Sequence, residues 1–304
     1  MGLDADYLLD RRALKRRVIL WRLLAIVMAV GLTTFIFLGH PAPQFKNVHI
    51  ALLQLNGTIY HDKERVLAIE KARDNPSVKA LLIEIDSPGG TVVGGETLFE
   101  AIRYFASKKP VVAVMGGLAT SAGYMTAIAA DQIYAQRATL TGSIGVLFQT
   151  AEITSLLEKL GINVEALKSS PLKGAPSLLE RVTPAARKTI RFLVDDISNM
   201  FVRMVANRRN ISIDYAKGLS DGRVYTGQMA LKHGLIDAIG GGREALKWLE
   251  IERNIPDDLP IINLRTGRSG VNWLERLQSL TQKVFISERL VLDGLLSIWQ
   301  PSGK

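Results

Sequence analysis

Apolar runs of strand type alternate with runs of helix formers through residues 48–135. The predicted strands are Val48–Leu55, Val78–Ile85, Val111–Met115 and Gln132–Ala135, and the predicted helices are Lys63–Arg73, Glu96–Ala106 and Ser121–Ala130. This alternation is typical of an α/β domain with a largely parallel sheet, because successive parallel strands need a crossover that is usually helical. With 47% apolar and 22% charged residues, the composition is that of a globular protein.

Two loops follow the carboxyl ends of predicted strands, where ligands bind in parallel sheets. One is Asp86-Ser87-Pro88-Gly89-Gly90, and the other runs from Gly116 to Tyr124 with Ser121 at the predicted strand-to-helix junction. Small residues around Ser121 allow a substrate backbone to come close, and the N–H groups of a helix start can face developing negative charge. The Gly-x-Ser-x-Gly pattern of hydrolase elbows is absent. Each loop by itself is equally compatible with a tightly packed turn.

A nucleophilic serine needs a base within hydrogen-bond reach, and histidine is the usual one. None of the histidines lies in a setting that suggests a base: His40, His49, His61 and His233. A lysine can serve instead if it is desolvated, since burial lowers the pKa of an ammonium group. Lys168 and Lys173 are the candidates, just after a predicted strand over Asn163–Leu167. General arguments do not choose between them.

The apolar run over residues 18–38 predicts an uncleaved membrane anchor. It carries a single charge, Arg22, and as a helix it would be about 30 Å long, enough to cross the hydrocarbon core. A cleaved signal peptide is the alternative, but its apolar core is usually about 7–15 residues and ends at an A-x-A-like site, which is missing here. Basic residues precede the run, so we expect the N-terminus in the cytoplasm and everything after His40 on the far side.

Charge and composition exclude some classes of function. The formal net charge is +9, and a basic block beside an apolar run indicates a membrane rather than nucleic acid. The chain has no cysteine, which excludes disulfides, thiolate metal sites and thiol catalysis. The expected organisation is a cytoplasmic basic segment (1–17), an anchor (18–38), a stiff linker containing Pro41-Ala42-Pro43 (39–47), an α/β domain (48–250) and a partly helical tail (251–304).

Several blocks in a fixed order carry a resemblance to a known family. They are Asp86-Ser87-Pro88-Gly89-Gly90, Ala119-Thr120-Ser121-Ala122-Gly123-Tyr124, Thr139-Leu140-Thr141-Gly142-Ser143-Ile144-Gly145-Val146, Lys168-Ser169-Ser170-Pro171-Leu172-Lys173 and Asp221-Gly222-Arg223-Val224-Tyr225-Thr226-Gly227. From about Val48 to Trp248 the sequence resembles the short form of signal peptide peptidase A, a family of membrane-anchored serine proteases with a Ser–Lys dyad. The resemblance implies a Clp-protease/crotonase-like βα superhelix for residues 48–250, in agreement with the alternation of strands and helices.

The resemblance also implies roles for particular residues. Ser121 matches the nucleophile and Lys173 the general base. Gly90 matches the backbone oxyanion donor, with the N–H of Ser121 as its companion, and Ser143 matches the hydroxyl that positions the lysine amine.

Two departures from the family pattern stand close to these residues. Ala122 replaces the usual glycine, a small change. Ser170-Pro171 replaces a glycine-containing pair, which keeps Lys168 as the weaker candidate for the base.

The chemistry implied is hydrolysis of a peptide bond through an acyl-enzyme, without metal or cofactor. The implied substrates are signal-peptide remnants and other apolar peptides, and the implied assembly is a homo-oligomeric ring in which neighbouring subunits complete one site. The implied location is the inner or plasma membrane, with the catalytic domain on its extracytoplasmic side. Two alternatives remain: an acyl-CoA enzyme of the crotonase type, which shares the fold, and a non-catalytic membrane scaffold.

Two further helical patterns follow the site blocks. Thr183-Pro184 predicts the start of a helix that reaches about Asn207, with an apolar stripe for the core or a subunit interface. Residues 225–239 predict a helix and a strand that close the domain. Residues 272–299 have helical periodicity and could lie on the membrane, pack on a neighbour or pack as a terminal helix.

Overall fold

The computed structural model describes residues 20–30, residues 48–264 and the backbone of residues 295–298. It divides the chain into two units, Met1–Asn47 and Val48–Lys304. In the first unit, residues 20–30 are helical and their side chains are exposed. The rest of the predicted anchor, the basic segment and the linker lie outside the described residues. Within the described parts of the chain, no helix combines the length and the apolar character needed to cross a bilayer.

The second unit alternates strands and helices. Its described strands are β1 (His49–Asn56), β2 (Val78–Ser87), β3 (Gly89–Thr91), β4 (Val111–Thr120), β5 (Gln132–Ala135), β6 (Leu140–Gly142), β7 (Leu147–Phe148), β8 (Val224–Thr226), β9 (Ala238–Ile239), β10 (Ile261–Asn263) and β11 (Leu295–Ile298). Its described helices are α1 (Lys63–Asp74), α2 (Val92–Ala106), α3 (Ala122–Ala127), α4 (Thr154–Lys159), α5 (Pro184–Arg209), α6 (Ile213–Gly218), α7 (Gly227–Lys232) and α8 (Gly242–Arg253).

The main sheet has the strand order β10-β1-β2-β4-β5-β9, and each neighbouring pair along this path is parallel. β6 pairs with the last residues of β4, and β8 pairs antiparallel with β6. A second, small sheet has the order β3-β11-β7. The mixed α/β class predicted from the sequence is therefore confirmed.

Helices cover both faces of the central strands, which explains the apolar runs at residues 80–83 of β2 and 111–115 of β4. Along β2, Leu81 and Ile83 belong to the larger apolar cluster, which also contains buried residues of α2, α3 and α5. Leu82, between them in sequence, packs on the opposite face in a cluster that includes Leu249 of α8. Successive side chains of a strand point to opposite faces, so both must be apolar here.

Several predicted boundaries differ from the structure. β2 and β4 run on to Ser87 and Thr120, toward the two loops singled out in the sequence. α2 begins at Val92, four residues before the predicted start, because the Thr91 side chain accepts a hydrogen bond from the Gly94 N–H, 3.1 Å. The strand predicted over Asn163–Leu167 is wrong: residues 162–168 form no regular element, and the side chains of Asn163–Leu167 are exposed.

The long helix α5 is confirmed with Thr183 as its N-cap, since the Thr183 side chain accepts from the Ala186 N–H. The apolar side chains of its stripe are buried in one half of the helix and exposed in the other. Phe201, in the C-terminal half, is fully buried, whereas Phe192 and Leu193 are exposed. In the tail, the described residues Leu295–Ile298 form a strand, and the remaining residues of the predicted tail helix lie outside the described residues.

Candidate active site

Ser121 joins β4 to α3 in a strained conformation. Its φ of 56° and ψ of −118° lie outside the regions that residues with a Cβ ordinarily occupy, and its side chain is buried. The conformation is fixed on both sides: the Ser121 N–H donates to the Gly142 carbonyl, 2.8 Å, and its own carbonyl accepts from the Met125 N–H, 2.8 Å. Such strain persists only where the surroundings impose it, and it concentrates at functional sites.

Small residues let α3 approach its neighbours closely. A Cβ on Gly123 would lie 3.2 Å from the Ser87 carbonyl oxygen at the end of β2. A Cβ on Gly95, in α2, would lie 3.0 Å from both the Ala122 Cβ and the Met125 Sδ. The small residues around Ser121 therefore bring the helix start against the carboxyl end of the sheet.

Tyr124 anchors α3 at its other side. Its hydroxyl donates to the Leu235 carbonyl, 2.9 Å, in the buried core. Burial raises the pKa of the Tyr124 phenol, so the group remains a hydrogen-bond donor over the physiological range.

Gly90 lies in β3, between Ile59 on one edge and β11 on the other. The flanking residues are held by Ile59, whose N–H donates to the Gly89 carbonyl, 2.8 Å, and whose carbonyl accepts from the Thr91 N–H, 2.9 Å. Backbone groups of successive strand residues face opposite edges, so the N–H and carbonyl of Gly90 face away from Ile59. A Cβ on Gly90 would lie 1.8 Å from the Ile59 carbonyl oxygen, which leaves room for glycine alone.

The Ser121 N–H, which the sequence predicts to be the second oxyanion donor, donates to the Gly142 carbonyl. Ala122 is the first residue of α3, where an N–H has no partner one turn earlier. Among the described residues, the Ala122 N–H has no hydrogen-bond acceptor. The residue after the nucleophile is also the donor in the hydrolase elbow, a rule that pointed to this position.

Ser143 lies directly after the residue that accepts from Ser121. Both Gly142, with φ 84°, and Ser143, with φ 50°, have left-handed backbone conformations. The Ser143 N–H donates to the Arg223 carbonyl, 2.8 Å. Within the described residues its hydroxyl has no hydrogen-bond partner, and the side chain is nearly buried.

The block Asp221–Gly227 supports this turn, a role that the sequence did not indicate. The guanidinium of Arg223 bonds the Asp221 carboxylate, 2.7 Å, and these hydrogen bonds hold the pKa of Asp221 below its usual value. The Tyr225 ring lies against Gly142, where a Cβ would approach its Cδ2 to 2.5 Å. The antiparallel pairing of β8 with β6 thus fixes the turn that carries Ser143.

The two candidate lysines differ in their surroundings. The Lys168 ammonium is paired with the Glu180 carboxylate. The ion pair therefore occupies the amine that would have to take the proton of the serine hydroxyl. Lys173 is exposed in a turn after Ser170, and among the described residues its ammonium has no ion-pair or hydrogen-bond partner. The structure brings Ser121 and Ser143 together through Gly142, and it records no contact between Lys173 and Ser121.

Residues 145–183, which carry Lys173, expose many apolar side chains. Those at least 44% exposed are Leu147, Leu156, Leu160, Ile162, Val164, Leu167, Leu172 and Leu178. A cavity of about 500 Å³ lies between β7 and the start of α5, with Leu147, Phe148, Ile190 and Val194 in its wall. Among the described residues, no group of three or more acidic or histidine side chains is arranged to hold a metal ion.

A strained serine at the head of a helix, beside a glycine strand, is an arrangement typical of hydrolases that proceed through an acyl-enzyme. Comparison with known proteins identifies the family. The sequence profile of peptidase family S49 matches residues 103–256. The chain belongs to this family and is a serine peptidase. This confirms the resemblance seen in the sequence and favours hydrolysis over acyl-CoA chemistry and over a non-catalytic scaffold.

Individual relatives agree with the profile. A candidate protease of Synechocystis sp. is 32% identical over 79% of this chain and 89% of its own length. A candidate signal peptide peptidase of Enterococcus faecium is 31% identical over 75% of this chain and 71% of its own. The chloroplast serine protease SPPA of Arabidopsis thaliana is 31% identical over 80% of this chain and 36% of its own. Among solved structures, a ClpP1 mutant from Listeria monocytogenes is 17% identical, with a TM-score of 0.41 over 64% of this chain and 93% of its own.

Proposed function

We propose that this serine peptidase is a membrane-anchored endopeptidase with a Clp-protease/crotonase-like βα superhelix. It cleaves signal-peptide remnants and other apolar peptides with a dyad of Ser121 and Lys173. The observation that carries the proposal is the buried, strained Ser121 at the junction of β4 and α3, beside the glycine strand β3. The cavity between β7 and α5 offers the apolar side chains of Leu147, Phe148 and Ile190 to an apolar peptide, beside the charged Arg187 and Arg191.

The oxyanion is stabilised by two backbone donors, the N–H groups of Gly90 and Ala122. Gly90 supports this role because its N–H faces away from Ile59, toward the edge on which β11 lies as an extended peptide would. Ala122 takes the place first given to Ser121, because its N–H is uncommitted among the described residues. Donors of this kind act most strongly when they are fixed before the reaction, as β3 and the start of α3 are here.

Lys173 is the general base. Lys168 is the weaker candidate because its ammonium is paired with Glu180. Ser143 positions the Lys173 amine: its hydroxyl is without a partner among the described residues, and its backbone is locked by the bond to Arg223. A third group that orients the base is the usual complement to a nucleophile and base.

The reaction then follows. The neutral Lys173 amine takes the proton of the Ser121 hydroxyl as Oγ attacks the peptide carbonyl carbon. The N–H groups of Gly90 and Ala122 hold the resulting oxyanion. Lys173 returns the proton to the leaving amine, and water hydrolyses the acyl-enzyme to restore the serine.

Assembly of a homo-oligomer brings Lys173 into the dry environment that a neutral amine needs. The segment 145–183 and the N-terminal half of α5 expose apolar side chains, Leu167 to 92% and Phe192 to 71%. Exposed apolar surface of this extent is typical of a protein interface. We place Lys173 of one subunit at Ser121 of its neighbour.

The location follows from the sequence. Residues 18–38 anchor the chain in the inner or plasma membrane, residues 1–17 stay in the cytoplasm, and the peptidase domain lies on the extracytoplasmic side. Resistance to carbonate extraction, together with protease access from the outer side alone, tests this topology. Release of the chain by carbonate contradicts it.

Three matched variants test the dyad. Ser121→Ala and Lys173→Ala should each lower turnover of an apolar reporter peptide by about 10⁴-fold or more, since members of a catalytic unit act together. Lys168→Ala should retain most of the activity, because it removes an ion pair with Glu180 and leaves the dyad intact. Activity that survives in Lys173→Ala but disappears in Lys168→Ala reverses the assignment of the base.

Mixing two inactive variants tests the shared site. Ser121→Ala and Lys173→Ala subunits that exchange into mixed oligomers contain some interfaces with an intact serine and an intact lysine. If the dyad is split between subunits, the mixture regains activity that neither variant has alone. If the mixture exchanges and remains inactive, both residues act within one chain.

A further inference from the structure

Thr120 is the last residue of β4, immediately before Ser121, and its hydroxyl is buried without a hydrogen bond. Within the part of the chain that the structure describes, Thr120 Oγ1 is the one buried side-chain nitrogen or oxygen atom that has no hydrogen-bond partner. A hydroxyl in this state is costly, because it has given up its hydrogen bonds to water and gained none in the protein. The rarity of such groups in native proteins calls for a reason at this position.

Other buried threonines near the site do have partners. The Thr126 hydroxyl donates to the Ala122 carbonyl, 2.9 Å, and the Thr141 hydroxyl donates to the Ala119 carbonyl, 2.7 Å. Both use a main-chain oxygen close to their own strand or helix. The unpaired hydroxyl is therefore particular to Thr120 and is not a general result of burying threonine in this region.

The strand register brings Thr120 next to a second unpaired hydroxyl. Thr120 lies opposite Gly142 of β6, so Ser143 is one residue further along the neighbouring strand. The Ser143 hydroxyl also lacks a partner among the described residues. Neighbouring strands are about 4.8 Å apart, a spacing that allows one nitrogen atom to bridge the hydroxyls of Thr120 and Ser143. Ser121 joins the same group, because its N–H donates to the Gly142 carbonyl.

A lysine that acts as a base needs more than one such partner. The neutral amine of Lys173 has two N–H groups and one lone pair, and the lone pair has to point at the Ser121 hydroxyl to take its proton. A hydrogen bond to Ser143 alone leaves the amine free to turn about that bond, so the lone pair has no fixed direction. A second acceptor fixes both N–H groups and thereby the lone pair.

We infer that Thr120 is a positioning residue for Lys173: its hydroxyl accepts one N–H of the amine, while Ser143 accepts the other. The inference rests on the proposed function, since it takes Lys173 as the base. It follows from the buried, unpaired hydroxyl one residue before the nucleophile and opposite Gly142.

The same pairing accounts for both unpaired groups. The ammonium of Lys173 has no partner among the described residues, and its side chain is exposed. Thr120 therefore lacks a partner and Lys173 lacks acceptors in the single chain, and assembly of the site supplies each with the other. No further proton is moved, because Thr120 accepts a hydrogen bond before and after Lys173 takes the proton of the serine.

Substitutions at Thr120 test the role in the full-length protein. Thr120→Val keeps the shape of the side chain and removes the hydroxyl, so kcat for an apolar reporter peptide should fall by about 10–10²-fold with KM unchanged, as expected for a misdirected base. Thr120→Ser keeps the hydroxyl and should retain most of the turnover. Thr126→Val is the matched control, since it removes a buried hydroxyl that is bonded within α3, and its kcat should stay near wild type. Equal losses in Thr120→Val and Thr120→Ser would overturn the inference.

A double-mutant cycle with Lys173→Ala shows whether Thr120 acts through the lysine. Adding Thr120→Val to Lys173→Ala should cause no further loss of the residual turnover, because the amine that Thr120 orients is already absent. A further loss of about 10-fold would show that Thr120 acts independently and would overturn the positioning role. Wild-type turnover in Thr120→Val, with Lys173→Ala inactive, overturns the inference and leaves the proposed function standing. Wild-type turnover in Lys173→Ala overturns the proposed base and the inference with it.

Discussion

Replacing Gly90 by alanine probes stability and catalysis through one contact. The new Cβ would lie 1.8 Å from the Ile59 carbonyl oxygen and 2.5 Å from its carbon, both backbone atoms that no rotamer can move away. Ordinary contact at about 3.4 Å requires β3 and Ile59 to separate by more than 1 Å. That movement stretches the two hydrogen bonds that join Ile59 to Gly89 and Thr91.

The expected loss of stability is about 3–5 kcal/mol. Each weakened backbone bond contributes about 1 kcal/mol, and overpacking in a rigid site typically costs about 1–3 kcal/mol. Turnover should fall separately, by about 10²–10³-fold, because a donor displaced by more than 1 Å no longer reaches the oxyanion. Denaturant unfolding measures the first effect, and turnover per folded molecule measures the second.

Gly218→Ala is the matched control. An added Cβ at Gly218, near the end of α6, meets nothing within 4 Å among the described residues, so stability and turnover should stay near wild type. Wild-type stability in Gly90→Ala would refute the steric argument about β3. Reduced stability with wild-type turnover would refute the assignment of the Gly90 N–H as an oxyanion donor.

Two further outcomes follow from single contacts. Tyr124→Phe leaves the buried Leu235 carbonyl without its donor and should lower the free energy of unfolding by about 1–3 kcal/mol, measured in urea; an unchanged value contradicts the anchoring role. Thr91→Val removes the cap of α2 and should cost about 1 kcal/mol in the same assay, whereas no loss would show that the Gly94 N–H finds another acceptor.

The sequence predicted the central sheet well because burial on both faces imposes a simple pattern. Residues 80–83 of β2 and 111–115 of β4 are apolar at every position, which leaves little ambiguity about two buried strands. The strand predicted at Asn163–Leu167 failed for the opposite reason. Its alternation of residues is not matched by any partner strand among the described residues, and its side chains are exposed.

The candidate site was predictable where it depends on single residues and unpredictable where it depends on hydrogen bonds. Ser121 and Gly90 stand out because small residues and turns mark the ends of β4 and β2. The bond from the Ser121 N–H to Gly142 depends on how β6 pairs with β4, which composition does not specify. We therefore propose the Ala122 N–H, rather than that of Ser121, as the companion donor.

The distribution of the site over the chain explains why the base was the hardest residue to assign. Ser121 and Gly90 belong to the buried core, whose pattern is imposed by packing within one chain. Lys173 belongs to a segment that exposes its apolar residues and has little regular structure. The position of such a segment is set by whatever covers it, so periodicity along the chain carries little information about it. A lysine can act as a base only after that cover excludes water, and we therefore expect catalysis and assembly to depend on the same surface.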